Sequence, residues 1–247
     1  MLTVENLGHE YGRRRFALRN VSFSLEQGYL CCLVGANGAG KTTLLKTIYG
    51  VLCSSSGKVS YQGKPVIWPK AKGREYYKGL CRYHKDVAFV GGDDWCFPNE
   101  TMQKNVQTLK TLYESFDEEE YGRLMEIFGL KKATLEKTCP ELSQGQKMLF
   151  QIAFALARHP KLLLLDEPFA NLDPVVKVDL VQLFQERIKD EGISIIVSTH
   201  LVDDVSDMVD YVGLMKEGKL VMYGDRESIF EEKKVDNLKA WILGGEE

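Results

Sequence analysis

Nine residues carry the clearest chemistry in the chain: Gly35-Ala36-Asn37-Gly38-Ala39-Gly40-Lys41-Thr42-Thr43. They follow the apolar run Leu30-Cys31-Cys32-Leu33-Val34 and precede Leu44-Leu45-Lys46-Thr47-Ile48-Tyr49, which predicts a buried strand, a glycine-rich turn and a helix. The spacing G-x-x-x-x-G-K-T is met by Gly35, Gly40, Lys41 and Thr42. A triphosphate needs many donors at once. Glycines let the backbone close around it so that successive N–H groups form an anion nest. A helix N-terminus adds unpaired N–H groups and the positive end of its dipole. Lys41 supplies a full charge for the β- and γ-phosphates, and the Thr42 hydroxyl is placed to ligate Mg²⁺. The loop is therefore expected to bind a nucleoside triphosphate.

Two further stretches end in reactive groups. Lys161-Leu162-Leu163-Leu164-Leu165-Asp166-Glu167-Pro168 reads as a strand buried on both faces of a parallel sheet, with two carboxylates at its carboxyl end. Asp166 is suited to hold Mg²⁺, and Glu167 to polarise or deprotonate an attacking water. Ile193 to Ser198 is a second such strand and ends at Thr199-His200. A neutral His200 there can donate to a γ-phosphate oxygen and hold the water in line. Ser143, Gly145 and Gln146 lie just before a helix predicted over Lys147 to Arg158. On its own this Ser-x-Gly turn reads as an N-cap.

The elements that must position these groups follow from periodicity. Met1 to Leu7 and Phe16 to Leu25 read as strands, joined by a polar turn containing Tyr11, whose ring can stack on a base or be an ordinary loop tyrosine. Lys58–Tyr61 and Asp86–Val90 are further strands. The basic, tyrosine-rich stretch Lys70 to Lys85 reads as a solvated loop or helix in preference to a nucleic-acid surface. Val106, Leu109, Leu112, Tyr113 and Phe116 recur at helical steps, and Asp117-Glu118-Glu119-Glu120 opens a second helix that Gly129 can close. Asn171 to Pro174 is a turn before a helix, and Tyr211 to Tyr223 a hairpin over Glu217-Gly218.

The 247 residues are 44% hydrophobic and 27% charged, ordinary for a globular protein, and the net charge of −3 gives no overall basic footprint for nucleic acid. Six cysteines show no metal-ligand spacing. No apolar run approaches the roughly 18 residues needed to span a bilayer, and Glu5 and Asn6 interrupt any leader-like segment. The expectation is a cytoplasmic chain whose membrane role requires a partner.

With these motifs in this order, essentially the whole chain resembles the nucleotide-binding subunit of an ATP-binding cassette (ABC) transporter. The resemblance implies an α/β P-loop NTPase fold: a mostly parallel core sheet, an N-terminal antiparallel β subdomain and a helical insert at roughly 100–158, all within one domain spanning 1–247. It makes Tyr11 the aromatic residue stacking on adenine, Gly35 to Thr43 the Walker A loop, Leu162 to Asp166 Walker B, Glu167 the catalytic glutamate, Asn171-Leu172-Asp173 the D-loop and His200 the switch histidine. Leu142-Ser143-Gln144-Gly145-Gln146 resembles the LSGGQ signature, with Gln144 replacing the first glycine. The family's implied arrangement is a head-to-tail dimer, homo- or heteromeric, with two ATP molecules held between the loop of one subunit and Ser143 and Gly145 of the other. An integral membrane permease is the further partner, which would place the chain on the inner face of the membrane; a soluble ABC ATPase acting on a non-membrane partner is the alternative. One departure stands out. Where the family has a metal-touching glutamine after Val87-Ala88-Phe89-Val90, this chain has Gly91-Gly92-Asp93-Asp94, with Gly92 aligned to it. That implies a looser link between nucleotide and partner, testable by Gly92→Gln. Trp95-Cys96-Phe97-Pro98 then either docks the permease's coupling helix or fills the core.

Overall fold

The computed structural model describes residues 1–12, 15–92, 96–200 and 208–233. Two sheets form its frame. The first is antiparallel, in the order β2 (Arg15–Leu25), β1 (Leu2–Tyr11), β4 (Ser56–Tyr61), β5 (Lys64–Ile67). In the second, β9 (Tyr211–Lys216), β3 (Leu30–Val34), β8 (Ser194–Thr199), β7 (Leu162–Asp166) and β6 (Val87–Val90) run parallel, and β10 (Lys219–Asp225) pairs antiparallel at the edge beside β9.

The near-continuous apolar runs predicted for the central strands are buried throughout β3 and β8. Alternation divides each strand's side chains between two cores. Leu30, Cys32, Val34, Leu163, Leu165, Ile195 and Val197 face one core, with Phe150, Phe169 and Phe184. Cys31, Leu33, Leu162, Leu164 and Ile196 face the other, with Leu44, Leu45 and Ile48 of α1 (Lys41–Tyr49) and Val4 and Leu25 of the first sheet. Burial pushes the Cys31 thiol up and that of Cys32 to about 12, so both pack as small apolar groups.

The helical segment between β6 and β7 holds α3 (Met102–Lys110), α4 (Glu118–Ile127), the single turn α5 (Lys132–Leu135) and α6 (Gln144–Leu156). Asp117 caps α4 by accepting from Glu120 N–H at 2.9 Å, as the acidic run implied. The helix predicted through Phe116 ends earlier, at Lys110, and Leu112 is 70% exposed. Tyr113 and Phe116 are still used, but from the connection: their rings lie 6.0 and 5.0 Å from that of Phe154. Elsewhere one reading holds, one strand is additional and one residue moves. The loop-or-helix stretch contains α2 (Arg74–Asp86), with Tyr83 buried and its hydroxyl donating to Ile48 C=O. Strand β5 was not anticipated; it pairs with β4 around Gln62 and Gly63, both at positive φ. Tyr11 is the last residue of β1 and not a loop residue. After β7 come α7 (Pro174–Glu191), with Pro174 at its first position, the hairpin over Glu217-Gly218, and α8 (Arg226–Lys233).

Among the described residues no helix is long and apolar enough to cross a membrane. One packing contact predicts a pH dependence. The His84 ring stacks on Tyr49 at 4.1 Å, Nε2 bonds Tyr49 C=O at 2.8 Å, and burial lowers its pKa. The unfolded chain therefore takes up this proton first. The stability His84 contributes is complete above about 6.5, the unfolded value, and is lost as pH falls below it towards the depressed folded value. The urea midpoint of the protein should drop more between pH 7.5 and 5.5 than that of His84→Gln; equal drops would remove His84 from this role.

Candidate active site

The parallel register brings three strand ends to one edge: Val34 pairs with Thr199, and Asp166 with Ser198. From Val34 the chain enters the glycine-rich loop. Gly35 has φ +153°, and a Cβ there would run into Met215 C=O. Gly40 caps α1 at φ +105° with no side-chain hydrogen bond, so no side chain competes for the N–H groups of the helix's first turn. Lys41 is 5% exposed; its Nζ donates to Gly35 C=O at 2.7 Å and lies 3.6 Å from Glu167 Oε1. The ammonium thus sits inside the loop, held by groups that a phosphate would outcompete electrostatically.

Asp166 Oδ1 accepts from Thr42 Oγ1 at 3.0 Å and from Ser198 Oγ at 2.5 Å. A carboxylate and a hydroxyl already in contact form a hard-oxygen pair of the kind Mg²⁺ takes beside phosphate oxygens, so the residues present fit that ion. Glu167 follows at φ +51°, with its N–H on Ser198 C=O at 2.9 Å. Its Oε2 lies 2.9 Å from His200 Nδ1 and accepts from His200 N–H at 3.3 Å. Glu167 consequently bridges Lys41 and His200, and the five predicted groups Lys41, Thr42, Asp166, Glu167 and His200 stand together.

Tyr11 borders a cavity of about 570 Å³ beside the loop, with Gly38, Gly40, Thr42 and Thr43. Its hydroxyl is 3.4 Å from Thr43 Oγ1, and its ring meets the His9 ring edge-to-face at 4.5 Å. Sequence reasoning missed Ala17, Arg19, Glu217 and Gly218 on the same cavity, as well as Ser198 on Asp166. Gly218 ties the parts together: its N–H donates to Ala39 C=O at 2.9 Å, and its C=O accepts from Arg19 N–H at 2.7 Å. The Glu217-Gly218 turn is visible in sequence, but its contact with the loop spans far too many residues to read there.

Ser143, Gly145 and Gln146 are not brought to the loop. Ser143 caps α6 reciprocally with Gln146, both bonds being 3.1 Å, and a Cβ on Gly145 would come within 2.6 Å of Asn171 C=O. No hydrogen bond or ion pair among the described residues joins them to the phosphate loop. At the glutamine-deficient position, another glutamine intervenes. Gln151 of α6 accepts from Gly91 N–H at 3.1 Å and donates to Gly92 C=O at 3.2 Å, a clamp the sequence did not reveal. Gly92 has φ +80°, so Gly92→Gln adds backbone strain as well as an amide and is a less clean test than it looks from sequence. Asp93, Asp94 and Trp95 lie outside the described residues. Phe97 is exposed, while its N–H and C=O are both held by the buried side chain of Asn105.

The family model described as ABC transporter matches residues 18–170. This chain belongs to the ABC transporter family. It is 36% identical over 232 residues to the energy-coupling factor transporter ATP-binding protein EcfA2 of Lactococcus lactis subsp. cremoris, spanning 92% of this chain and 78% of that one. A second relative, cbiO1 from Clostridium perfringens, described as part of the ABC transporter complex cbiONQ, has a solved structure. It superposes with a TM-score of 0.72 at 30% identity, over 94% of this chain and 91% of that one. The ATP-binding subunit of another ABC transporter shares the fold, with a TM-score of 0.83 at 24% identity over 99% and 98% of the two chains. The chain is thus a nucleotide-binding ATPase of the α/β P-loop type, and the expectations for recognition, fold and enzyme class hold.

Gly218→Ala tests the strap on the cassette's cavity. A Cβ there would sit 2.5 Å from Ala17 C=O at φ +76°. The strain costs about 1–3 kcal/mol of stability. Affinity for a fluorescent ATP analogue should fall about tenfold, equivalent to about 1.4 kcal/mol; unchanged titration and melting curves would show that the strap is dispensable.

Proposed function

We propose that this chain is the subunit that binds and hydrolyses ATP to power a membrane transporter, through closure of a dimer of nucleotide-binding subunits. The observation carrying this reading is the convergence of Lys41, Thr42, Asp166, Glu167 and His200 at the carboxyl ends of adjacent parallel strands. ATP lies with its adenine on Tyr11 and its phosphates in the loop from Gly35 to Thr43, including Ala36, Asn37, Gly38, Ala39 and Gly40. Lys41 then exchanges its carbonyl partners for phosphate oxygens. Thr42 and Asp166 hold Mg²⁺, whose charge offsets that on the phosphates. Release of Lys41 leaves the Glu167 carboxylate free to accept a proton from the attacking water, while His200, 2.9 Å from Glu167, orients the water and donates to the γ-phosphate.

The site is incomplete in one chain, because no hydrogen bond among the described residues joins Ser143, Gly145 or Gln146 to the loop. A second subunit, identical or homologous, supplies them to the γ-phosphate across a head-to-tail interface, so closure assembles the charge-stabilising site. The names of the relatives, transporter ATP-binding proteins and a component of a transporter complex, support a membrane partner. A groove of about 300 Å³ lined by Tyr49, Val51, Gly92, Leu109, Tyr113 and Phe154 supports it too. Phe97, exposed and with its backbone held by Asn105, lies in the segment that the family resemblance assigns to docking the permease. These features favour a cytoplasmic chain held on the inner face of the membrane by an integral permease, with nucleic acid playing no part.

Glu167→Gln removes the proton acceptor and leaves the phosphate loop intact. Turnover should drop by about 10²–10⁴-fold, with ATP binding and dimer formation retained. Wild-type turnover would remove Glu167 from this role. The same variant, tagged and recovered from detergent-solubilised cells in Mg-ATP, should bring down a polytopic membrane protein in stoichiometric amount; only soluble partners or nucleic acid would count against the transporter reading.

A further inference from the structure

Between Lys64 and Lys85 the chain carries Lys64, Lys70, Lys72, Arg74, Lys78, Arg82 and Lys85 against one carboxylate, Glu75, although the protein's net charge is −3. Helix α2 separates these residues by period. Tyr76, Leu80, Tyr83 and His84 turn inward, Leu80 against Gly50 and His84 against Tyr49. Arg74, Tyr77, Lys78, Cys81, Arg82 and Lys85 form the exposed stripe. Among the described residues only Lys78 and Lys85 of this set have carboxylate partners, Glu75 at 3.0 Å and Glu114 at 3.4 Å, both across exposed pairs of little strength. Lys70, Lys72, Arg74 and Arg82 have none among the described residues.

Aromatic rings run through the same surface. Trp68, 39% exposed, meets Tyr76 edge-to-face at 5.2 Å, and Tyr76 meets Tyr77, 58% exposed, at 5.3 Å. Apolar rings with polar tips beside unpaired cations are the combination that rests at a bilayer's headgroup level. We propose that this face of α2 and the connection before it bind an anionic membrane surface, with Trp68 and Tyr77 entering the headgroup layer and the cations meeting lipid phosphates. The inference builds on the reading that the subunit works at a membrane. Tyr49, which packs on His84 of α2, also lines the groove assigned to the permease, so both surfaces adjoin. Nucleic acid fits less well. Single-strand binding uses a charged groove with open ring faces for base stacking, whereas these cations lie along the outer side of α2 and the connection before it, and the rings are engaged edge to face.

The test uses the purified full chain without any permease, sedimented with vesicles of phosphatidylcholine alone or mixed with phosphatidylglycerol. Partitioning should be at least about tenfold stronger onto the anionic vesicles and weaken as salt rises, since each cation near such a surface contributes about 1 kcal/mol, or about fivefold. Arg74→Gln/Lys78→Gln/Arg82→Gln should lose at least about tenfold of that partitioning with ATPase activity unchanged. Lys70→Gln/Lys72→Gln, outside any helix, should show a smaller loss and guards against misfolding of the first variant. Trp68→Ala should weaken binding without altering the salt dependence. Equal partitioning of wild type and both charge variants overturns the proposal, as does a wild type that ignores anionic vesicles or prefers single-stranded RNA to them. Vesicle binding without any co-purifying membrane protein would sink the transporter reading and leave this one standing; the reverse result would do the opposite.

Discussion

The Asp166 carboxylate is where the architecture closes. Oδ1 takes hydroxyl hydrogen bonds from Thr42 at the start of α1 and Ser198 near the end of β8, and its Cβ leaves space for Gly91 only because that residue has no side chain. Three parallel strands and a helix must be in register for those contacts to coexist. A slip of one residue in β7 would exchange Leu163 and Leu165 with Leu162 and Leu164 between the two cores and carry Asp166 out of reach. The burial of the leucine run therefore fixes the position of the carboxylate. Hydrophobic packing sets the register, and the register sets the polar geometry.

The charges around that carboxylate satisfy one another when no nucleotide is considered. Lys41 is nearly buried, and a buried ammonium without partners is costly; it takes loop carbonyls and the edge of Glu167. Glu167 in turn engages His200 from a backbone at φ +51°, a conformation unfavourable for a residue with a side chain. A strained, charged residue at a strand end is difficult to account for by stability alone. In the proposed function, phosphate replacing carboxylate as the partner of Lys41 would turn this ion pair into a free base beside His200.

Much of this was legible in the sequence because the phosphate loop, the strand-end carboxylates and the N-caps at Asp117 and Ser143 are local: residue type and spacing within ten positions decide them. The misreadings have a common physical origin. The helical period continues past Lys110, but the backbone leaves the helix: Leu112 is exposed, while Tyr113 and Phe116 reach Phe154 from an irregular connection, so the period marked two packed rings without marking the backbone that carries them. Gly218 against Ala39 and Gln151 against Gly91 and Gly92 are contacts between distant segments, and neither residue is unusual in its local context. Short β5 gave too few residues to alternate.

Gln151 bears on how the departure at Gly92 is understood. A glutamine side chain reaching from Gly92 would link the metal site to the loop ahead of Phe97. Here the link is reversed: Gln151, on the helix that begins at the Ser143 cap, grips the backbone of Gly91 and Gly92 through both ends of its amide. The segment after β6 is thereby tied to α6, the helix whose N-terminus must meet the second subunit's nucleotide in the proposed dimer. A displacement of α6 on closure would pull on Gly91 and Gly92 directly, without a side chain at the metal. Such a link is strongest through a buried amide bonded at both its oxygen and its nitrogen, as Gln151 is. The chain thus lacks a glutamine side chain at position 92 but keeps the segment after β6 tied to the signature helix through Gln151.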